Sequence, residues 1–149
     1  MRILLLMTAL LTLLSAEAAP SRGGPLLHKR QTSGFVPRPL SKSFDCSIYS
    51  DRVEWVANYA GVVVKSTRPM TIDSAAVYTL LEIAAQAKLQ ETRGPVDGPS
   101  ISFEGYKILP TDAVQTIVLS NMNGGSGTVI SNPSEEATLL KRIIDDLCQ

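Results

Sequence analysis

The chain has 149 residues, with 14 basic and 14 acidic side chains, two cysteines and a single histidine. This length fits one domain with a sizeable core. The balanced charge does not indicate nucleic-acid binding, which depends on clustered Lys and Arg, and the absence of a C-x-x-C spacing argues against a redox dithiol.

The N-terminus carries a secretion signal. A basic Arg2 precedes an apolar run over residues 3–14, and the small-residue segment 16–18 fits a signal-peptidase site. The apolar run is too short for a membrane span. We therefore predict a signal peptide over residues 1–18 and a secreted, extracellular protein.

A dibasic pair closes the next segment, residues 19–30. Lys29-Arg30 in a Pro- and Gly-rich stretch is typical of a propeptide cut by a kexin-type protease, so secreted material should begin at Gln31. A chance Lys-Arg pair in a linker is the alternative. Cleavage removes four of the 14 basic and one of the 14 acidic residues, which leaves ten against thirteen and a net charge of about −3. It also removes His28, the only histidine.

The two cysteines, Cys46 and Cys148, both lie in the remaining chain and are 102 positions apart. In an oxidising compartment an even pair predicts a disulfide. Two unpaired thiols are the alternative.

The elements after the dibasic pair begin with an arm and a helix. Residues 31–43 lack hydrophobic periodicity and predict an extended arm ahead of a single globular domain over residues 44–149. Apolar side chains at helical spacing then predict a helix over residues 51–64, with Ser50 as its cap.

A second helix and two strands follow. Alanine-rich residues 74–90 predict a helix capped by Thr71 or Asp73. Residues 100–108 and 114–120 have the apolar content and alternation of half-buried and buried strands.

The last elements are a returning strand and a helix. Residues 128–131 predict the strand, and Ser134 predicts the cap of a helix over residues 134–147 with a clear apolar stripe. Two helices, three strands and one helix predict an α+β fold, in which N-terminal helices pack on a small antiparallel sheet with a C-terminal helix.

Loss of the histidine limits the available chemistry. Without imidazole, Ser-His and Cys-His pairs and His-based zinc sites are excluded, so we expect no metal, no cofactor and no enzyme activity. The Gly-rich segment 121–127 lacks both phosphate-binding frames and predicts a hairpin loop.

Several short motifs resemble the small secreted fungal ribonucleases that are specific for guanosine. Phe-Asp-Cys at 44–46 and Tyr-Ser at 49–50 resemble the opening of that family, and Phe-Glu-Gly-Tyr at 103–106 resembles its segment near the guanine pocket. Residues 117–121 and 127–130 resemble its central strand and returning strand. The cysteine spacing matches as well.

The resemblance implies a ribonuclease-like fold and a secreted fungal virulence effector, because plant-infecting fungi, powdery mildews especially, reuse this fold without its catalytic residues. The family's Tyr-Pro-His segment is absent, and a lysine stands at best where its catalytic glutamate belongs. The candidate binding residues are Glu104, Tyr106, Lys107, Asn121 and Asn123.

We therefore expect a non-catalytic protein that binds a host macromolecule, and the acidic charge favours a host protein over RNA. Two alternatives remain open. One is an active secreted hydrolase, either a divergent ribonuclease built on Glu104 or a glycosidase with two facing carboxylates. The other is a toxin or signalling protein matured at Lys29-Arg30.

Overall fold

The structure of the chain, a computed structural model, describes residues 23–149. The predicted signal peptide, residues 1–18, lies outside the described residues, as do residues 19–22 of the predicted propeptide. No helix within residues 23–149 has the length and apolar character needed to cross a bilayer.

Eight antiparallel strands form one open sheet in the described part of the chain, in the order β4-β3-β2-β1-β6-β7-β8-β5. The elements in chain order are β1 (Leu27–Thr32), β2 (Lys42–Ile48), β3 (Arg52–Tyr59), β4 (Val62–Pro69), α1 (Ser74–Ala84), β5 (Gln90–Arg93), β6 (Ser100–Ile108), β7 (Val114–Asn123), β8 (Thr128–Ser131) and α2 (Glu135–Leu147). β1, in the middle of this order, pairs with β2 on one side and with β6 on the other.

Both helices pack on the same face of the sheet, and the core lies between the two layers. A Cβ added to Gly105 would clash with Leu81 Cδ2, so α1 packs closely on β6. The disulfide joins Cys46 in β2 to Cys148 just after α2, which confirms the predicted pairing. The largest fully buried side chains are Leu27, Cys46, Ile48, Val53, Leu81, Leu119, Leu140 and Ile144.

The predicted fold class is wrong, because the molecule is dominated by its sheet and has no α-helix before α1 in the described residues. Residues 51–64, predicted as a helix, instead contain β3 and the start of β4. Ala60 and Gly61 both have positive φ, 52° and 92°, and form a two-residue turn that suits a hairpin. The following run of β-branched valines favours a strand, so this turn and run override the helical spacing. The small antiparallel sheet predicted from three strands is replaced by one of eight strands.

The predictions for the rest of the chain are better. The second helix is confirmed over Ser74–Ala84, where the Asp73 side chain accepts a hydrogen bond from the Ala76 N–H at 3.1 Å. It ends six residues before the predicted Gln90, where β5 begins instead. The three predicted strands correspond to β6, β7 and β8, and β7 extends to Asn123. The final helix is confirmed, with Ser134 as its cap.

β1 and its connection to β2 lie where the sequence indicates a propeptide and an arm. β1 contains the predicted cleavage site, and residues 33–41 cross to β2 through one 3-10 turn at Arg38–Leu40. The division of the chain at residues 30 and 43 stays a prediction.

Candidate functional site

The face of the sheet opposite the helices carries the candidate site, and strand alternation determines which side chains lie there. Leu27, Cys46 and Leu81 belong to the core between sheet and helices. Because neighbouring side chains in a strand point to opposite faces, the residues next to Leu27 and Cys46 point away from the helices. We call this side the open face.

The centre of the open face holds a charged group built on β1 and β2. Arg30 and Asp45 are directly opposite each other in the register, and Arg30 Nε donates to Asp45 Oδ1 at 2.8 Å. His28 Nε2 lies 3.3 Å from the same Asp45 oxygen. The hydrogen bond to Asp45, and then its negative charge, raise the pKa of Arg30. Asp45 therefore holds both basic side chains in place.

The adjoining strand, β6, adds Glu104 and Tyr106. Glu104 is directly opposite His28 in the register, and Tyr106 Oη donates to Glu104 Oε2 at 2.9 Å. Burial, followed by this hydrogen bond, raises the pKa of Tyr106 to about 12. The ring of His28 lies 6.4 Å from that of Tyr106. We call these five side chains, His28, Arg30, Asp45, Glu104 and Tyr106, the open-face cluster.

A groove of about 280 Å³ runs beside the open-face cluster. Asn121 lines it and forms no side-chain hydrogen bond within residues 23–149, which leaves its amide available to a ligand. Asn123 also lines it, but its Oδ1 accepts from the backbone N–H of Gly125 at 3.0 Å and orders the Gly-rich turn. The groove residues that present polar side chains are Arg30, Thr32, Ser100, Ser102, Glu104, Asn121 and Asn123.

A larger pocket, of about 810 Å³, lies next to this groove. Thr32 lines both cavities, so they adjoin on the same part of the sheet. The larger pocket contains Arg38, Lys42 and Asn58 and lies between the β1–β2 connection and the turn after β3. We call these two adjoining cavities together the polar trough.

The structure brings four of the five predicted binding residues to this side: Glu104, Tyr106, Asn121 and Asn123. Lys107 lies on the helix side instead, where its Nζ bonds Glu82 Oε1 of α1 at 2.8 Å. That hydrogen bond, followed by the charge of Lys107, lowers the pKa of Glu82. Lys107 therefore serves the packing of α1 on β6 and takes no part in the trough.

The predicted processing residues, Lys29, Arg30 and Gln31, lie within β1 and not in a flexible segment. Lys29 points to the helix side, where its Nζ pairs with Asp145 of α2. Cleavage after Arg30 stays a prediction. In this fold it would interrupt a strand that is hydrogen-bonded on both sides, and it would separate Leu27 from the rest of the core.

Sequence reasoning missed His28, Arg30 and Asp45. His28 and Arg30 were assigned to a propeptide because the apolar alternation of β1 is weak. Leu27 faces the core, but the next residue on the core side is the charged Lys29. Pairing with β2 and β6 makes this segment a strand, and no local signal in the sequence reports that pairing.

The chemistry available at the open-face cluster is acid–base and electrostatic. It contains two carboxylates, one imidazole, one phenol and one guanidinium side chain. Within residues 23–149 no three His, Cys, Asp or Glu side chains are grouped so as to hold a metal ion. Comparisons of this chain with family models, with curated proteins and with solved structures find no match.

Proposed function

We propose that this chain is a secreted binding protein that recognises a host protein through the open face of its sheet, without chemical turnover. One observation carries the proposal: the open-face cluster and the polar trough beside it lie on a face that neither helix covers. The trough presents side chains from β1, β2, β3, β6 and β7 to solvent.

The charges of the open-face cluster favour a protein over RNA as the partner, and the basic Arg38 and Lys42 line only the larger pocket. Arg30, whose side chain is 61% exposed, is already paired with Asp45, and Glu104 adds a second negative charge beside it. A surface of alternating sign suits another protein surface, whereas binding of an RNA backbone depends on an excess of basic residues.

Two observations support a secreted effector. The Cys46–Cys148 disulfide is expected to form and persist in an oxidising compartment. The motifs at 44–46 and 103–106 supply the resemblance to secreted fungal proteins and contribute Asp45, Glu104 and Tyr106 to the open-face cluster.

The second candidate function is hydrolysis of a phosphodiester, and a specific observation favours it. His28 lies directly opposite Glu104, with Arg30 on the same strand. Transfer through a 2′,3′-cyclic phosphate needs a base for the 2′-hydroxyl proton, an acid for the leaving oxygen and a cation near the phosphorane oxygens. Glu104, His28 and Arg30 are groups of those three kinds.

The experiment uses the secreted protein purified from a eukaryotic host, with its N-terminus established by intact mass. Proteins from leaf extract that are retained on it are identified and then titrated singly. Glu104→Lys reverses a charge on the open face and Asn121→Arg fills the groove, while Asp146→Lys on α2 is the matched charge-reversal control. In parallel, the protein is incubated with total RNA and with a guanosine dinucleotide, alongside His28→Ala and Glu104→Gln.

We expect an identified protein to bind saturably, with a loss of at least about tenfold in Glu104→Lys and Asn121→Arg and no change in Asp146→Lys. Equal binding by all variants would refute the open face as the recognition surface. RNA turnover that disappears in both His28→Ala and Glu104→Gln would replace the binding proposal with the hydrolase.

A further inference from the structure

The two edges of the sheet differ in their capacity to accept another strand. β5 forms one edge, with four residues, Gln-Glu-Thr-Arg, that include one acidic and one basic side chain. β4 forms the other, with eight residues that are all exposed, and it begins with three valines. Natural sheets protect their edges by shortening or charging them, and β4 is the long, partly apolar exception here.

The turn before β4 determines which of its backbone groups are free. In a two-residue hairpin the flanking residues, here Tyr59 and Val62, form a hydrogen-bonded pair, and such pairs then alternate along the ladder. The N–H and C=O groups of Val63, Lys65 and Thr67 therefore point away from β3. The backbone groups of Pro69 also point away from β3. Pairing with β3 therefore does not need the N–H that proline lacks, and the free edge ends at this residue.

A second copy of this chain fits β4 poorly. Pairing two β4 strands about a twofold axis keeps the helices of both copies on one side, so only residues that face the same way can be opposite. Two such registers align seven of the eight residues, and one of them places Lys65 opposite Lys65 of the second copy, where like charges repel. A shift in one direction places Val63 opposite Pro69, which has no N–H. A shift in the other direction confines the overlap to residues 62–66.

The charge on β4 indicates a different occupant. β4 carries Lys65 and Arg68 and no acidic residue. Arg68 is engaged, since it lies over the Trp55 ring at 5.1 Å and donates to the Leu147 carbonyl at 3.0 Å. Lys65 forms no ion pair within residues 23–149, and its side chain lies on the open face in line with the free backbone groups.

We infer that β4 is a strand-addition site that captures an extended, acidic segment of a partner protein. The segment pairs antiparallel with the N–H and C=O groups of Val63, Lys65 and Thr67. It places a carboxylate opposite Lys65, and the residues on either side of that carboxylate are β-branched and lie beside the valines of β4. Main-chain hydrogen bonds supply affinity in this mode and the side chains supply selectivity. The inference rests on the proposed function in one respect only, that the protein acts by binding another protein.

The test uses synthetic eight-residue peptides that alternate valine and glutamate. One control replaces glutamate with lysine. Another is N-methylated at each glutamate, so that the edge facing β4 in this pairing cannot donate hydrogen bonds. The protein variants are Lys65→Glu and Val63→Pro on β4, Glu91→Lys on β5 and Glu104→Lys on the open face. Binding is measured by titration, folding by circular dichroism, and the site by amide hydrogen exchange.

We expect saturable binding of the acidic peptide, with slower exchange at the amides of Val63, Lys65 and Thr67. Lys65→Glu should weaken it at least about tenfold and bind the lysine peptide instead, while Glu91→Lys and Glu104→Lys bind as the wild type does. Val63→Pro removes one free N–H. If Val63→Pro does not fold, the result for Lys65→Glu still decides the test.

Three outcomes would overturn the inference: no binding of the acidic peptide, equal binding of the N-methylated peptide, or a wild-type dimer in sedimentation that Lys65→Glu abolishes. Because Glu104→Lys leaves this edge intact, failure at β4 is distinguishable from failure of the open face as a recognition surface.

Discussion

The two faces of the sheet come from the same strands and carry opposite kinds of side chain. Leu27, Cys46 and Leu119 face the helices and are fully buried, whereas His28 and Asp45, one residue along, belong to the polar open-face cluster on the uncovered side. Strand alternation therefore separates the residues that hold the fold from those available for recognition. Two neighbouring positions on one strand therefore form a matched pair for mutagenesis. A substitution on the helix-covered face should lower the stability, and a substitution at the next residue, on the open face, should not.

The largest difference between the faces should appear at the disulfide. We expect the double variant Cys46→Ala/Cys148→Ala to lose up to about 4.7 kcal/mol of unfolding free energy, which the chain-entropy model gives for a loop of about 100 residues. The loss should come with faster hydrogen exchange in α2, whose end the disulfide ties to β2. Urea denaturation measures the unfolding free energy.

Ser47→Ala is the matched control, one residue along β2 on the open face. Its unfolding free energy should stay within about 0.5 kcal/mol of the wild type. Similar losses in both variants would show that the faces are not energetically distinct, and two titratable thiols in the native wild type would show that the disulfide is absent.

The disulfide and α2 were predictable because their signals are local or follow from composition. Ser134 and the two glutamates after it mark the start of α2, and its apolar stripe recurs at helical spacing. An even cysteine pair in a secreted chain needs no knowledge of the fold. β6, β7 and β8 likewise carry their own alternation and turn.

The N-terminal half was mispredicted because pairing between distant segments, and not local preference, makes its strands. Val53, Val56, Ala60 and Val63 fit a helical face, but Val53 is fully buried while Val63 is 53% exposed. β1 is held by β2 and by β6, whose paired residues lie 68 to 78 positions further along the chain. The same error removed His28 and Arg30 from the expected site, because both lie on β1.

A smaller effect should appear where α1 meets the covered face. Gly105→Ala places a methyl group against the buried Leu81, and overpacking of this kind costs about 1–3 kcal/mol. In a Leu81→Ala background the space is free, so the same change should cost little. A double-mutant cycle measured by urea denaturation gives the coupling.

Additive losses in that cycle would mean that Gly105 does not contact Leu81 and that α1 does not lie closely on β6. Ser102→Ala, on the open face of the same strand, should show no coupling to Leu81→Ala.

The smallest effect should come from the open face itself, at Tyr106. Its pKa of about 12 lies above the ordinary value near 10, so the folded state favours the neutral phenol. That contribution to stability is complete below about pH 10 and is lost as pH rises through about 12. The wild type should therefore lose more stability than Tyr106→Phe between pH 10 and 12, and tyrosinate absorbance should show a transition near pH 12 that only Tyr106→Phe removes.

Tyr59→Phe is the control, since Tyr59 is 51% exposed and lies outside the open-face cluster; it should leave the transition near pH 12 in place. If no tyrosine titrates near pH 12 in the wild type, the bond from Tyr106 to Glu104 does not persist in solution. Glu104 would then be a free carboxylate opposite His28, available to take a proton from a substrate. The absence of that transition would therefore weaken the separation between a stabilising and a recognising face and would favour the hydrolase over the binding protein.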